Sequence, residues 1–124
     1  MPIENATSFS QTIQITESQT ASHYGSGLLP VFATPALIAL MENTAMQLIP
    51  LQDGFSSVGI SINMQHTKAS PVGAFIKCTA TLTGVEGRKY TFDIVASDSN
   101  TDIVGKAIHE RVVVEIEKFM SKLA

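Results

Sequence analysis

One segment, residues 33–50 (ATPALIALMENTAMQLIP), limits what this chain can become, because it is the only strong helical pattern present. Leu37, Ile38, Leu40, Met41, Ala45, Met46, Leu48 and Ile49 make it apolar over most of its girth, and a helix of that kind has to be wrapped by other structure on most sides. Thr34 suits the N-cap, Pro35 suits the first helical position, where a missing N–H costs nothing, and Pro50 marks the stop.

Everything that follows reads as strand. Val58, Ile60, Ile62 and Met64 alternate with polar or small residues, as do Ile76, Cys78, Ala80 and Leu82, and then Tyr90, Phe92, Ile94 and Ala96. Gly84-Val85-Glu86-Gly87 reads as a tight hairpin link and residues 97–102 (SDSNTD) as a second turn. Residues 103–119 read as one long β-branched strand with Val104, Ile108, Val112, Val114 and Ile116 on its apolar parity. Before the helix, residues 9–17 read as a first strand, 20–27 as a polar loop and 28–32 as an apolar lead-in; residues 1–8 read as a loose N-terminus. A single sheet must bury one face, and the one large apolar partner available is the helix. The expected fold class is α+β, one domain over residues 1–124: a curved antiparallel five-stranded sheet wrapped around one long central helix.

With 124 residues, 44% hydrophobic and 15% charged, the chain is long enough for a real core and too apolar for disorder. Part of its apolar surface is expected to lie under a second subunit. The net charge of −3 argues against a nucleic-acid footprint, which needs a basic patch. No apolar run approaches the roughly 18 residues of a membrane span, and no signal peptide is read, so a cytoplasmic protein is expected. The one cysteine, Cys78, reads as a small buried hydrophobe. Three scattered histidines give no metal-ligand spacing, and no phosphate-binding glycine motif or nucleophile elbow is present.

Glu42 is the anomaly of the helix. At 100° per residue it projects roughly 150° from the centre of the polar cluster Asn43, Thr44 and Gln47, with Ile38, Ala45 and Ile49 as its neighbours. A carboxylate on a buried stripe costs several kcal/mol unless paired or protonated, and such positions are often reserved for chemistry. The inert alternative is a glutamate hydrogen-bonded at a helix or subunit seam. His66 ends the strand parity of Val58, Ile60, Ile62 and Met64 and so points at the space the helix occupies. It reads as an acid/base or orienting partner, or as a core-edge histidine bonded to backbone. Thr34, beyond capping, stands beside the free N–H groups and positive dipole end of the helix, where the amides of Ala36 and Leu37 can hold an oxyanion. Gly59 marks a bulge or the close approach of a ligand or backbone. His23 reads as a surface residue, and His109, sharing the polar parity with Arg111, as a surface or interface residue.

Three stretches carry a resemblance: VFATPALIALMENTAM (31–46), VGISINMQHTKASPVGAFIKCTATLTGVEGRKYTFDIVASD (58–98) and IVGKAIHERVVV (103–114). Together they resemble the hot-dog-fold thioesterases of the fluoroacetyl-CoA thioesterase-like group, over about residues 31–119. The resemblance implies a hot-dog fold, the helix as sausage and the sheet as bun, and a dimer joined edge to edge with acyl-CoA sites at the subunit interface. Tetramers remain open. It implies an acyl-CoA thioesterase with Thr34, Glu42 and His66 as catalytic residues, Gly59 as the glycine of the site, and no metal or cofactor beyond the CoA thioester substrate. Leu28 stands where the fluoroacetyl enzyme has a gating phenylalanine, with Phe32 near it, so a general short-chain or small aryl acyl group is expected rather than a fluorinated one. The substrate-binding set is thus Gly59, Leu28, Phe32 and Ala36. Lys68, Lys77, Arg88, Lys89 and Lys106 are unranked candidates for the CoA phosphates.

Eight helical residues rise about 12 Å, so Thr34 and Glu42 of one chain must address different parts of a substrate or meet groups of another subunit. Glu42 would serve as general base or as nucleophile. The competing readings are a non-catalytic acyl-CoA or small-ligand binder using the same cleft, and a hot-dog enoyl-CoA hydratase or dehydratase.

Overall fold

An apolar helix needs a roof, and here the roof is one five-stranded antiparallel sheet. The structure, a computed structural model, describes residues 7–124; residues 1–6 of the expected loose N-terminus lie outside the described residues. The strands are β1 (Ser8–Gln14), β2 (Phe55–His66), β3 (Phe75–Glu86), β4 (Lys89–Ser97) and β5 (Ile103–Glu115), in the order β1-β3-β4-β5-β2. The enclosed helix is α2 (Thr34–Met46), flanked by the short helices α1 (Ala21–Tyr24) and α3 (Ile116–Ser121). Strands β3, β4 and β5 form the expected meander, while β1 and β2 close the two edges. Among the described residues no helix is long and apolar enough to cross a membrane.

The core lies between α2 and the concave face. Leu37, Met41 and Ala45 of the helix are buried together with Ile76, Cys78 and Ala80 of β3 and Phe92, Ile94 and Ala96 of β4. Burial pushes the Cys78 thiol up to about 11, partly opposed by a hydrogen bond with Thr44, so it stays protonated and packs as a hydrophobe. Thr44, which the sequence groups with the polar side of the helix, is buried. Its hydroxyl donates to the Leu40 carbonyl at 2.7 Å and accepts from Gln11 Nε2 at 2.8 Å, so a clamp from β1 satisfies it.

Four expectations shift. The N-cap is Ala33, in extended backbone, and Thr34 and Pro35 open the helix behind it. The helix ends at Met46, and the chain reaches Pro50 through tight turns in which Leu48 N–H donates to Ala45 and Ile49 N–H to Met46. The polar loop at 20–27 holds α1, too short to show a period, with the Thr20 hydroxyl accepting from His23 N–H at 3.3 Å. Finally, residues 103–119 divide into β5 and α3, the join fixed by Ile116 N–H donating to the Gly54 carbonyl at 2.9 Å.

The largest correction is the facing of β5. Pairing sets Phe92 opposite His109 and Ile94 opposite Ala107, and cross-strand partners share a face. Because Phe92 and Ile94 point at α2, so do Ala107, His109 and Arg111. Ile108, from the parity expected to be inside, is exposed instead.

Gly105 shows how closely helix and sheet approach. A Cβ there would lie 2.9 Å from Leu37 Cδ2 and 3.0 Å from the Gln65 carbonyl oxygen. Gly105→Ala is expected to cost about 1–3 kcal/mol through overpacking, read as a lower urea midpoint at unchanged slope. An unchanged midpoint would mean that α2 stands further from β5 than described.

Candidate active site

The misplaced cap has a chemical consequence. A threonine at the N-cap would turn its hydroxyl onto the amides of the first turn; with Ala33 in that position, the Thr34 hydroxyl is free for another partner. It meets His66 Nδ1 at 2.9 Å. The chain ahead of the helix is pinned on two sides, by Phe32 N–H donating to Ser70 at 2.8 Å and Ala33 N–H donating to Gln19 at 2.8 Å. Phe32 is buried with its ring edge-on to the imidazole at 6.4 Å. A cleft of about 310 Å³ opens here, lined by Thr34, His66, Phe32 and Lys68 among others. Leu37 N–H is taken by the Ala33 carbonyl at 3.0 Å, so of the two amides expected to face an oxyanion, only Ala36 keeps a donor that the helix leaves unpaired.

Glu42 lies elsewhere. It is not on the buried stripe of α2, which runs through Leu37, Leu40, Met41, Thr44 and Ala45; its side chain is 39% exposed in the single chain. One carboxylate oxygen sits over Gly59 of β2, so close that a Cβ there would lie 2.5 Å away. That oxygen is 3.7 Å from Arg111 Nη1. Arg111 is only 7% exposed and is tied down: Nε donates to Ser57 Oγ at 2.9 Å, Nη2 to the Ser57 carbonyl at 3.0 Å, and Nη1 to His109 Nε2 at 3.3 Å.

A bulge lets Gly59 and His66 face the same helix. They are seven residues apart, an odd spacing that would turn them to opposite faces of a regular strand. The β2–β5 register slips between Gly59, opposite Arg111, and Ser61, opposite Glu110, leaving Ile60 as the extra, exposed residue. Thus the inner parity is Gly59 before the bulge and Ile62, Met64 and His66 after it.

The predicted residues therefore divide. Thr34, His66, Phe32 and Ala36 gather at the start of α2, whereas Glu42 and Gly59 gather about two turns further on, with Arg111 and His109. Leu28 is 93% exposed, in the loop after α1, and does not line the cleft at Thr34 and His66. Strand parity puts His109 and Arg111 on the polar side of β5, a surface or interface position for the histidine, whereas both are buried; the hairpin register that pairs Phe92 with His109 is the signal that places them inside. Among the cationic candidates, Lys68 is bonded to Asp98 and Asp102, and Lys89 lies 3.5 Å from Glu110, so both are already neutralised. A larger hollow opens between Asp53 and Glu117 where α3 leaves the sheet, but none of the candidates lines it. Among the described residues no three His, Cys, Asp or Glu side chains gather as a metal site.

Comparison with known proteins agrees with this architecture. The family model described as fluoroacetyl-CoA-specific thioesterase matches residues 15–117. A fluoroacetyl-CoA thioesterase of Streptantibioticus cattleyicolor is 38% identical over 95 residues, covering 75% of this chain and 68% of that protein. A crystal structure of the fluoroacetyl-CoA-specific thioesterase superposes with a TM-score of 0.88 at 32% identity, covering 94% of this chain and 91% of that one. A variant of that enzyme in complex with fluoroacetate and CoA gives 0.84 at 32% identity, with 90% and 95% covered. A hot-dog-like protein from Thermanaerovibrio acidaminovorans, 24% identical with a TM-score of 0.85 over 94% and 87%, shares the fold.

Burial lowers the pKa of both inner histidines. For His66 the main-chain contact with Lys68 opposes the shift; for His109 the Ser61 carbonyl, Glu42 and Glu110 oppose it and Arg111 adds to it. Unfolded, both titrate near 6.5. Between their lowered folded values and 6.5 the unfolded chain binds more protons, so stability rises with pH through that window and levels off above it. Asp98, held below the usual carboxylate range chiefly by Lys68, contributes stability that is lost only as pH falls below about 4. The urea midpoint is expected to drop as pH is lowered from about 8 to about 5.5, and His109→Gln should flatten that drop. A midpoint independent of pH across this range would show that neither ring is buried neutral.

Proposed function

Because the chain belongs to the fluoroacetyl-CoA-specific thioesterase family, and is thus a thioester hydrolase, we propose that it hydrolyses a short-chain or small aryl acyl-CoA at a site shared by two copies of the chain. The observation that carries this reading is the Thr34–His66 contact at the open end of α2. There a thioester carbonyl would meet the Thr34 hydroxyl, the Ala36 N–H and the positive end of the helix dipole, donors that match an oxyanion as charge develops on it. Glu42 takes a proton from water as general base, or adds to the carbonyl to give a mixed anhydride that water then opens. In either route the C–S bond breaks, the sulfur leaves as thiolate and takes up a proton, and the carboxylic acid is released. His66 orients the Thr34 hydroxyl and carries the proton. The scheme needs no metal or organic cofactor.

Two copies answer the separation of about 12 Å between Thr34 and Glu42 along one helix. Strand β2 is an edge strand of the sheet. If it pairs antiparallel with its counterpart across a two-fold axis near Ile62 and Asn63, Gly59 of one copy lies opposite His66 of the other. Glu42, seated on Gly59, would then approach the Thr34 and His66 of the second copy. The half-exposed carboxylate supports this, since the second copy would cover it. Higher assembly, such as a pair of dimers, is left open by this pairing.

Fluoroacetyl selectivity is not part of the proposal. Leu28, at the place of the gating phenylalanine, is solvent-exposed and stands off the cleft. Acetyl, propionyl, benzoyl and fluoroacetyl thioesters of CoA are therefore expected to turn over within about two orders of magnitude of one another, the 10–200-fold scale on which an apolar pocket discriminates one methylene.

Release of free CoA is the decisive readout. Glu42→Gln should lower kcat/KM by roughly 10²–10⁴ in a chain that still folds, with a lower melting temperature because Arg111 loses its compensating charge. Gly59→Ala should also slow turnover and cost stability, because its Cβ would displace the Glu42 carboxylate that compensates Arg111 and would press on the fixed His109 ring, 3.2 Å from Cε1. Wild-type binding of acyl-CoA without thiol release would replace the hydrolase reading with a binder, and hydration of an enoyl-CoA would replace it with a hydratase.

A further inference from the structure

His109 has no role in the scheme above, yet it is 1% exposed and tied at both ring nitrogens. Nδ1 lies 2.8 Å from the Ser61 carbonyl oxygen. A carbonyl only accepts, so Nδ1 carries the proton and Nε2 presents a lone pair. That lone pair faces Arg111 Nη1 at 3.3 Å, and the same Nη1 is 3.7 Å from the Glu42 carboxylate. Phe92 stacks on the ring with centroids 6.3 Å apart and fixes its plane. Ser61 is the first paired residue after the bulge at Ile60, so the irregularity that turns Gly59 inward also brings the Ser61 carbonyl to the imidazole.

We propose that His109 is a positioning residue for thioester hydrolysis: held as the neutral Nδ1–H tautomer, it accepts a hydrogen bond from Arg111 Nη1 and so holds the guanidinium where its charge, 3.7 Å away, keeps the Glu42 carboxylate over Gly59. The proposal rests on the reading of Glu42 as the reacting carboxylate. The charged groups that face His109 are Arg111, Glu42 and Glu110. A proton on Nε2 would set a second cation against Arg111 and remove the acceptor that orients it.

His109→Leu keeps the volume and removes the acceptor. It is expected to lower kcat roughly 10- to 100-fold, the scale of a misplaced catalytic group, with KM little changed. His109→Gln, whose amide can donate to Ser61 and accept from Arg111, should recover most of that loss. In an Arg111→Met background the leucine change should add little, because residues acting as a unit are non-additive. Additive effects, or failure of glutamine to recover turnover while it recovers the melting temperature, would reduce His109 to a packing residue.

A readout independent of turnover is the ring ¹⁵N shifts of the wild type at about pH 7.5. A protonated Nδ1 and a bare Nε2 are expected; a proton on Nε2 overturns the proposal whatever the activity. Absence of thiol release from wild type with the Nδ1–H tautomer in place would instead overturn the hydrolase reading, and with it any part for His109 in turnover.

Discussion

A guanidinium buried beneath a helix is a costly placement, and much of the surrounding structure answers it. Taking Arg111 out of water costs several kcal/mol unless its donors find partners. Ser57 supplies two, His109 one, and Glu42 the compensating charge at 3.7 Å. Each partner constrains something else. Glu42 can come within reach only where β2 has no side chain, hence Gly59; His109 can present a lone pair only if its other nitrogen donates elsewhere, hence the Ser61 carbonyl beyond the bulge. A half-exposed carboxylate, a strand irregularity and a histidine tautomer thus follow from one buried charge.

The order of the strands and of α2 is legible in the sequence because each of these carries its own period. The apolar helix between Pro35 and Pro50, the alternating strands and the glycine-rich hairpin need no tertiary information, and one sheet with one apolar partner has little choice of architecture. The misreadings arise where a neighbour decides. The β-branched pattern makes Val104, Ile108, Val112 and Val114 the inner parity of β5; Val104 is buried as expected, but beyond it the β4–β5 register turns His109 and Arg111 inward and leaves Ile108 exposed. Similarly, Thr44 looks solvent-facing on a helical wheel and is buried because Gln11, more than thirty residues earlier, reaches across from β1.

The candidate residues were readable as chemically unusual before their geometry was. Glu42 stands out against its apolar neighbours, yet the wheel assigns it to a buried stripe that it leaves, because the pull comes from Arg111 on another element. Thr34 is an excellent cap by residue type. That Ala33 takes the cap depends on backbone set by the 31–33 segment, which is held between Gln19 and Ser70. The bulge at Ile60 was foreshadowed by Gly59, but no local signal says that it flips the inner parity and so sets Gly59 and His66 on one face.

Within one copy, a hydroxyl–imidazole pair and a carboxylate–guanidinium pair sit at separate stations along α2. In the proposed scheme the two stations are complementary: the first offers a hydroxyl, an imidazole and a helix N–H, the second a carboxylate. Edge strand β2 runs past both, with Gly59 at one station and His66 at the other. Under the proposed dimer, antiparallel self-pairing of β2 would reverse direction, set unlike stations against each other and give two equivalent composite sites. A parallel or back-to-back arrangement would set like against like. The bulge matters here too, since without it one of the two stations would face away from the helix, and the two-fold axis would bring nothing together.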